Sequence, residues 1–185
     1  VFLAITVSVI GSCVMAFVYK DTNIEVKEVL VTFAEGIGVY QNKELTEPVS
    51  ALKLSDMQVG LKPATGEIDA ETMIPSTITN QGTSEGYYAK VFVKSNINYK
   101  IVMKNIVIKS KKDKHDIKEE RKNLFISIKD VANSTKTLEK DETEIVSFSD
   151  VSETQELTFL IWMGGLADET LEGAKISFTL DFVAV

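Results

Sequence analysis

The sequence predicts an all-β domain, an antiparallel β-sandwich or jelly roll of about nine strands, preceded by one hydrophobic export or anchor helix. Three observations predict it. Residues 1–18 carry no charged side chain. Beyond residue 23 apolar residues recur with period two, the spacing of a strand that buries one face. The strand-like runs are short and are separated by polar turns, with few helical stretches between them. The division that follows is residues 1–18 as signal peptide or membrane anchor and residues 19–185 as a single β-sandwich domain, a fitting size for 185 residues.

The opening stretch, VFLAITVSVIGSCVMAFVYKD, meets its first charge at Lys20. As a helix, residues 1–18 would span about 27 Å, at the short end for a bilayer. Three fates fit. In the first, Val14-Met15-Ala16 is a small-residue cleavage site, cut after Ala16, with Gly11 breaking the apolar helix a turn earlier. In the second, Ile10-Gly11-Ser12-Cys13 is a lipobox and Cys13 is acylated, although Val14 to Val18 stay apolar where lipoproteins usually turn polar. In the third, the segment remains as a single-span anchor with Tyr19 and Lys20 at the interface. Each fate places the body outside the cytoplasm and in touch with a membrane only through residues 1–18. A buried core helix of a cytosolic fold would show a polar face, and this run has none.

The strands follow in order. EVKEVLVTF places Ile24 (just before it) and Val26 on one parity, but its later apolar residues do not keep to a single face. SALKLSDMQVG and STITNQG are the next two candidates. YYAKVFVKS sets Ala89, Val91 and Val93 against Lys90 and Lys94. YKIVMKNIVIKS reads as one long strand that changes phase near Asn105, which predicts a bulge or bend. NLFISIKD aligns Leu124, Ile126 and Ile128, and EIVSFSD follows. In QELTFLIWM, Leu157, Phe159, Ile161 and Met163 share a face, while Leu160 and Trp162 make the second face apolar as well. The last strand, AKISFTLDFVAV, alternates most clearly: Ile176, Phe178, Leu180, Phe182 and Ala184 against Lys175, Ser177, Thr179 and Asp181. Two segments interrupt the pattern. LKPATGEIDAETMIPS, with Pro63 and Pro75, reads as a long surface loop. KSKKDKHDIKEERKN, between Lys109 and Lys122, carries seven Lys/Arg against four Asp/Glu and reads as a charged excursion at the rim, with Asp113 placed to cap a short helix and Asp116 three residues on.

Charge and chemistry narrow the function. All 20 basic and 27 acidic residues follow the opening stretch, so the net charge of −7 belongs to the body. That balance argues against a nucleic-acid or anionic-membrane binder, which needs a basic face. The one cysteine, Cys13, lies in the opening stretch, so the body has neither disulfide nor thiol site. No catalytic residue is expected. His115, the sole histidine, sits in the charged excursion, where nothing in the sequence pairs it with a nucleophile. No H-E-x-x-H and no Gly-rich phosphate loop occur, so neither metal nor cofactor is expected. Asp141, Glu142 and Glu144, and again Asp168, Glu169 and Glu172, offer calcium-type oxygens without EF-hand spacing and read as exposed acidic turns. Asn133-Ser134-Thr135 is a glycosylation sequon, relevant in a eukaryotic secretory host. Trp162 reads as core or inter-sheet packing.

Two regions together resemble the camelysin/TasA-like family of secreted bacterial matrix proteins. One is IGSCVMAFVYKDT followed by VTFAEGIGV, with Gly11, Ala16, Phe17, Asp21 and Thr32-Phe33-Ala34-Glu35-Gly36 at the matching positions. The other is the closing run LTFLIWMGGLADETLEGAKISFTLDFVAV, whose alternating strand lies at residues 174–184; the strand ITNQGT (Ile78 to Thr83) also fits the family's layout. The chain departs from the pattern after Gly36, where it reads IGVYQN. The resemblance implies a jelly-roll-like sandwich, export through a signal peptidase, and assembly into extracellular fibres of a biofilm matrix. The metallopeptidase assignment of some relatives is not carried over, because the zinc motif is missing.

The expected protein is therefore a non-enzymatic structural subunit at the surface of, or outside, a bacterium, with a membrane- or lipid-anchored binding module as the alternative. Self-association is the expected partnership. The segment FVYKDTNIEVKEVLVTF, through Phe17, Ile24, Val26 and Leu30, is the candidate donor strand for β-augmentation of a neighbouring copy. The competing reading makes residues 24–33 the first strand of the protein's own sheet.

Overall fold

The computed structural model describes residues 23–52, 57–58, 88–111, 115–149, 151–163, 171 and 173–185. It is all-β, with eleven strands in two sheets among the described residues and a 3-10 helix at Lys118–Asn123. The strands are β1 (Asn23–Phe33), β2 (Ile37–Tyr40), β3 (Ala51–Leu52), β4 (Met57–Gln58), β5 (Tyr88–Ser95), β6 (Tyr99–Lys109), β7 (Leu124–Ile128), β8 (Lys136–Thr137), β9 (Glu142–Phe148), β10 (Gln155–Met163) and β11 (Lys175–Ala184). The first sheet runs β3-β1-β11-β6-β9, with β4 also on β1, and the second runs β2-β5-β10-β7-β8. Most pairs are antiparallel. The exception is β1, which lies parallel to β11, so the first described strand and the last are neighbours.

Alternation along each strand fills the space between the sheets. Ile176, Phe178, Leu180 and Phe182 of β11 face Leu157, Phe159, Ile161 and Met163 of β10 across one continuous core, joined by Ala89, Val91, Val93, Leu124, Ile126 and Ile128. Ala184, of the same parity in β11, is exposed at the strand's end. An aromatic group ties the layers at one end. Tyr99 packs on Phe148 and Phe182, and Phe182 meets Phe159 edge-on, with ring centroids 5.1, 6.0 and 6.4 Å apart. The Tyr99 hydroxyl crosses between the sheets to donate to Gln155 Oε1, and burial raises its pKa above the ordinary phenol range.

Bulges resolve the strands whose alternation breaks. In β1 the register against β11 slips between Val26 and Glu28. One additional residue there moves the inward set from Ile24 and Val26 to Val29 and Val31, which is why the apolar parity of the sequence changes midway. In β6 the phase change expected near Asn105 is a register shift against β11, with Asn105 at φ 55°. It carries the inward set from Ile101 and Met103 to Ile106 and Ile108, all buried. A third slip, in β9, leaves Ile145 without an opposite residue on β6 and buried.

Other segments differ from the sequence reading. Within SALKLSDMQVG the described residues form β3 and β4, two residues each. IGVY after Gly36 is a strand, β2, which the sequence reading passes over; it is only four residues long. STITNQG and the loop at 62–75 lie outside the described residues, as do residues 1–22. Among the described residues no helix is long and apolar enough to cross a membrane.

Candidate functional site

The surfaces that bear on function are the slot holding β1, the β9 edge of the first sheet, and the charged excursion after β6. The slot is built by backbone. On one side β1 pairs with β11 over most of its length, from Glu25↔Lys175 to Phe33↔Phe182. On the other, among the described residues, it pairs Val29↔Leu52, Leu30↔Ala51 and two residues of β4, and the Val31 N–H donates to the Ser50 carbonyl at 2.9 Å. The strand enters the second sheet through Ala34-Glu35-Gly36. The Ala34 N–H donates to the Phe182 carbonyl at 2.9 Å, the Ile37 N–H to the Ala34 carbonyl at 3.2 Å, and Gly36 sits at φ +88°. Glycine adopts that backbone without strain.

The candidate donor residues fall unevenly. Ile24 is fully buried, Val26 is partly buried against the core, and Leu30 points outward with 41% exposure. Phe17 lies outside the described residues, together with Val14, Ala16 and Cys13. Beside Leu30 on the outer face, Thr32 donates to Asp181 Oδ1 at 2.6 Å and Lys104 donates to the other carboxylate oxygen, so polar groups cover the middle of that face.

Among the described residues the first sheet ends, on the side away from β3, at β9. It pairs with β6 along one side and ends the strand order on the other. Its Glu142 and Glu144 are exposed, and Glu144 makes an ion pair with Lys100 at 3.3 Å. Such an edge is a template for further strand pairing unless charge or a bulge blunts it, and β9 carries both.

The excursion is pinned by one arginine. Residues 115–117 return along β6, where Ile117 N–H donates to the Ile108 carbonyl at 2.8 Å, and a 3-10 helix follows over Lys118–Asn123. Arg121 is buried and donates from Nη2 to Asp116 and from Nη1 to Asp141 on the turn before β9. Asp116 Oδ1 also accepts from the Ile108 N–H at 3.0 Å. Asp116 is therefore an arginine partner rather than part of a helix cap. The cap position belongs to Ile117, with no side-chain bond, and Asp113 is outside the described residues. The hydrogen bond from Arg121, then its charge and that of Lys118, hold the Asp141 carboxyl below the usual aspartate range. Glu120 is buried too and accepts from Asn123 Nδ2 at 2.9 Å.

The remaining sequence candidates resolve individually. His115 is exposed in the excursion. Among the described residues no group of three His, Cys, Asp or Glu side chains is placed to hold a metal. Asp141 and Glu144 of the first acidic cluster are engaged with Arg121 and Lys100, and Asp168, Glu169 and Glu172 are outside the described residues. Of the sequon, Asn133 and Thr135 are exposed. The Ser134 hydroxyl is buried and bonded to the Ile128 N–H and to the carbonyls of Ile128 and Val131. Trp162 is buried, but on the side of β10 away from the inter-sheet core. It stacks on Phe125 at 5.4 Å with planes 4° apart, and among the described residues its Nε1–H has no hydrogen-bond partner. The sequence signal for this position was the second apolar face formed by Leu160 and Trp162. The clamp around Arg121 had none, since its three members are spread over 26 residues of a charge-rich stretch. No family model, curated protein or solved structure matches the chain.

Proposed function

We propose that this chain is a non-enzymatic structural protein of a bacterial exterior, a subunit that associates with copies of itself into cell-surface or matrix fibres, with its strands arranged as a jelly roll. The observation that supports this reading is the place of β1. It is the first described strand, it fills an inner position of the first sheet, and no hairpin ties it to its long neighbour β11. An equivalent strand from another copy can occupy that position with every other pairing retained, which is β-augmentation in a heterologous, open-ended form. Export by cleavage after Ala16 would free the residues ahead of β1 to take part. Deleting residues 17–23 and imaging the secreted product by electron microscopy tests the reading. Loss of fibres is expected, and unchanged fibres would remove this segment as the donor. A body that runs as a monomer on size exclusion at all concentrations, with a lipid on Cys13 or an intact residue 1–18 segment by mass spectrometry, would favour the anchored binding module instead.

A further inference from the structure

The excursion after β6 sorts its charges. Residues 109–122 hold seven basic against four acidic groups, a net of +3, so the rest of the chain carries −10 of the total −7. Within the excursion the described acids Asp116 and Glu120 turn to Arg121 and Asn123. Lys109, Lys111, Lys118 and Lys122 stay exposed, and among the described residues none of the four is in an ion pair. Glu119 is the one exposed acid among the described residues of this segment. A fifth lysine joins them: Lys175 opens β11 directly opposite Lys109, and like charges in that position disfavour the pairing. Among the described residues Lys175 forms an ion pair with Glu25, at 3.5 Å. The side chain of Lys111 lies close over the backbone of Gly173, where a Cβ would come within 2.8 Å of its Cδ, which brings Lys111 to the start of β11 as well. Lys109, Lys111 and Lys175 thus form one exposed cationic corner on an otherwise acidic molecule.

We propose that this corner is the docking surface for the acidic exterior of a second copy of the chain. The proposal rests on the fibre reading and specifies its electrostatics. Copies with net charge −7 repel one another at long range, and the corner is where an approaching acidic surface is attracted. It sets the orientation in which copies meet, as complementary charge does at other interfaces, chiefly through the association rate. The contact is heterologous, lysine corner to acidic exterior, so it extends rather than closes.

The test uses the full chain and the variant K109E/K111E/K175E. Circular dichroism and the emission of Trp162 confirm that the variant is folded, and K109Q/K111Q/K175Q serves as the milder change. Assembly is followed by light scattering at low and high salt, and each protein is also titrated with a single-stranded oligonucleotide as a phosphodiester probe. Expected are elongation about tenfold slower in the Glu variant, an intermediate rate for the Gln variant, and wild-type assembly slowed by salt. Wild-type fibres whose growth is indifferent to salt and to all three lysines would overturn this proposal and leave the fibre reading standing. A wild type that forms no assembly at any salt overturns both. Tight oligonucleotide binding lost in the Glu variant, with assembly unchanged, would assign the corner to a polyanion and overturn the contact between copies.

Discussion

The bulge in β1 makes a prediction that separates a register effect from a composition effect. Residue 27 is the additional residue between Val26 and Glu28 in the pairing with β11. Deleting Lys27 leaves Ile24, Val26, Val29 and Val31 at strict alternation, so these four residues keep the inward face. The expected cost is small, about 1 kcal/mol or less, because the ladder becomes regular and no core side chain leaves. Deleting Leu30 removes one outward side chain that is already 41% exposed, yet it reverses the parity on one side of the cut. If Ile24 and Val29 keep the core, then Val31, now 6% exposed, turns to solvent. Thr32 then turns inward and loses its bond to Asp181. Exposing the valine costs about 1.5–3 kcal/mol and burying the unpaired hydroxyl about 1–3 kcal/mol, for a total of about 3–6 kcal/mol. Urea unfolding followed by the emission of Trp162, the only tryptophan, reads both deletions. With a slope of about 2 kcal/mol per molar urea, the midpoint falls by about 1.5–3 M for the Leu30 deletion and by less than about 0.5 M for the Lys27 deletion. Equal losses for the two deletions would refute the bulge as the source of the parity change.

The clamp and the first turn make further predictions. Asp116→Ala leaves the buried Arg121 guanidinium with one carboxylate and the Ile108 N–H unpaired. A loss of about 2–4 kcal/mol in urea unfolding is expected, partly recovered when Arg121→Met is added. The contribution of the Arg121–Asp141 pair depends on pH. Because the folded-state pKa of Asp141 is depressed, that contribution is fully present above the unfolded aspartate value of about 4 and is lost as pH falls through the lower folded value. In acid titrations Asp141→Asn should match the parent in slope below that window and diverge from it between the two values; identical curves throughout would show that the pair contributes nothing. Gly36→Ala places a Cβ at φ +88° and 2.7 Å from Asn96 Oδ1. Asn96 is exposed and its side chain can turn away, so the backbone dominates, and a thermal melt should show a loss of about 1–2 kcal/mol.

Much of the fold was legible because its strands are long and one-faced. β5, β7, β10 and β11 each repeat apolar residues at period two with β-branched or aromatic side chains, and the structure places them at the centre of the two sheets. The phase change at Asn105 was legible for the same reason, since a bulge leaves its mark on an otherwise regular strand. Short elements left too little pattern. Two residues at β3, β4 or β8 hold a single alternation, and β2 begins with Ile37-Gly38, where glycine carries no side chain to signal a face. Partnership between distant strands is hidden for a different reason: the parallel pairing of β1 with β11 depends on which free edges meet after collapse, and no local residue preference records it. The clamp was illegible because a buried arginine and two aspartates look, in sequence, like any three charges in a solvated run.

That parallel pairing decides how an assembly strand must behave. In one copy β1 is joined to β2 by three residues, Ala34, Glu35 and Gly36, so its effective concentration at its own slot is in the millimolar range. At micromolar protein, exchange into a second copy is disfavoured by about 10³, or about 4 kcal/mol per junction, unless other contacts form with it. Residues ahead of β1 and the lysine corner are where such contacts can arise. If exchange occurs, fixing β1 in place must prevent it. Leu30 and Thr179 are register partners across β1 and β11, and neighbouring strands stand about 4.8 Å apart, within reach of a disulfide. The variant L30C/T179C, made with Cys13→Ser so that no other thiol competes, should stay monomeric when oxidised and assemble like the parent once reduced. Light scattering before and after reductant measures this directly. Fibres that form equally well from the oxidised protein would show that β1 never leaves its own sheet, and assembly would then have to proceed by docking of complete subunits along the β9 edge or the lysine corner.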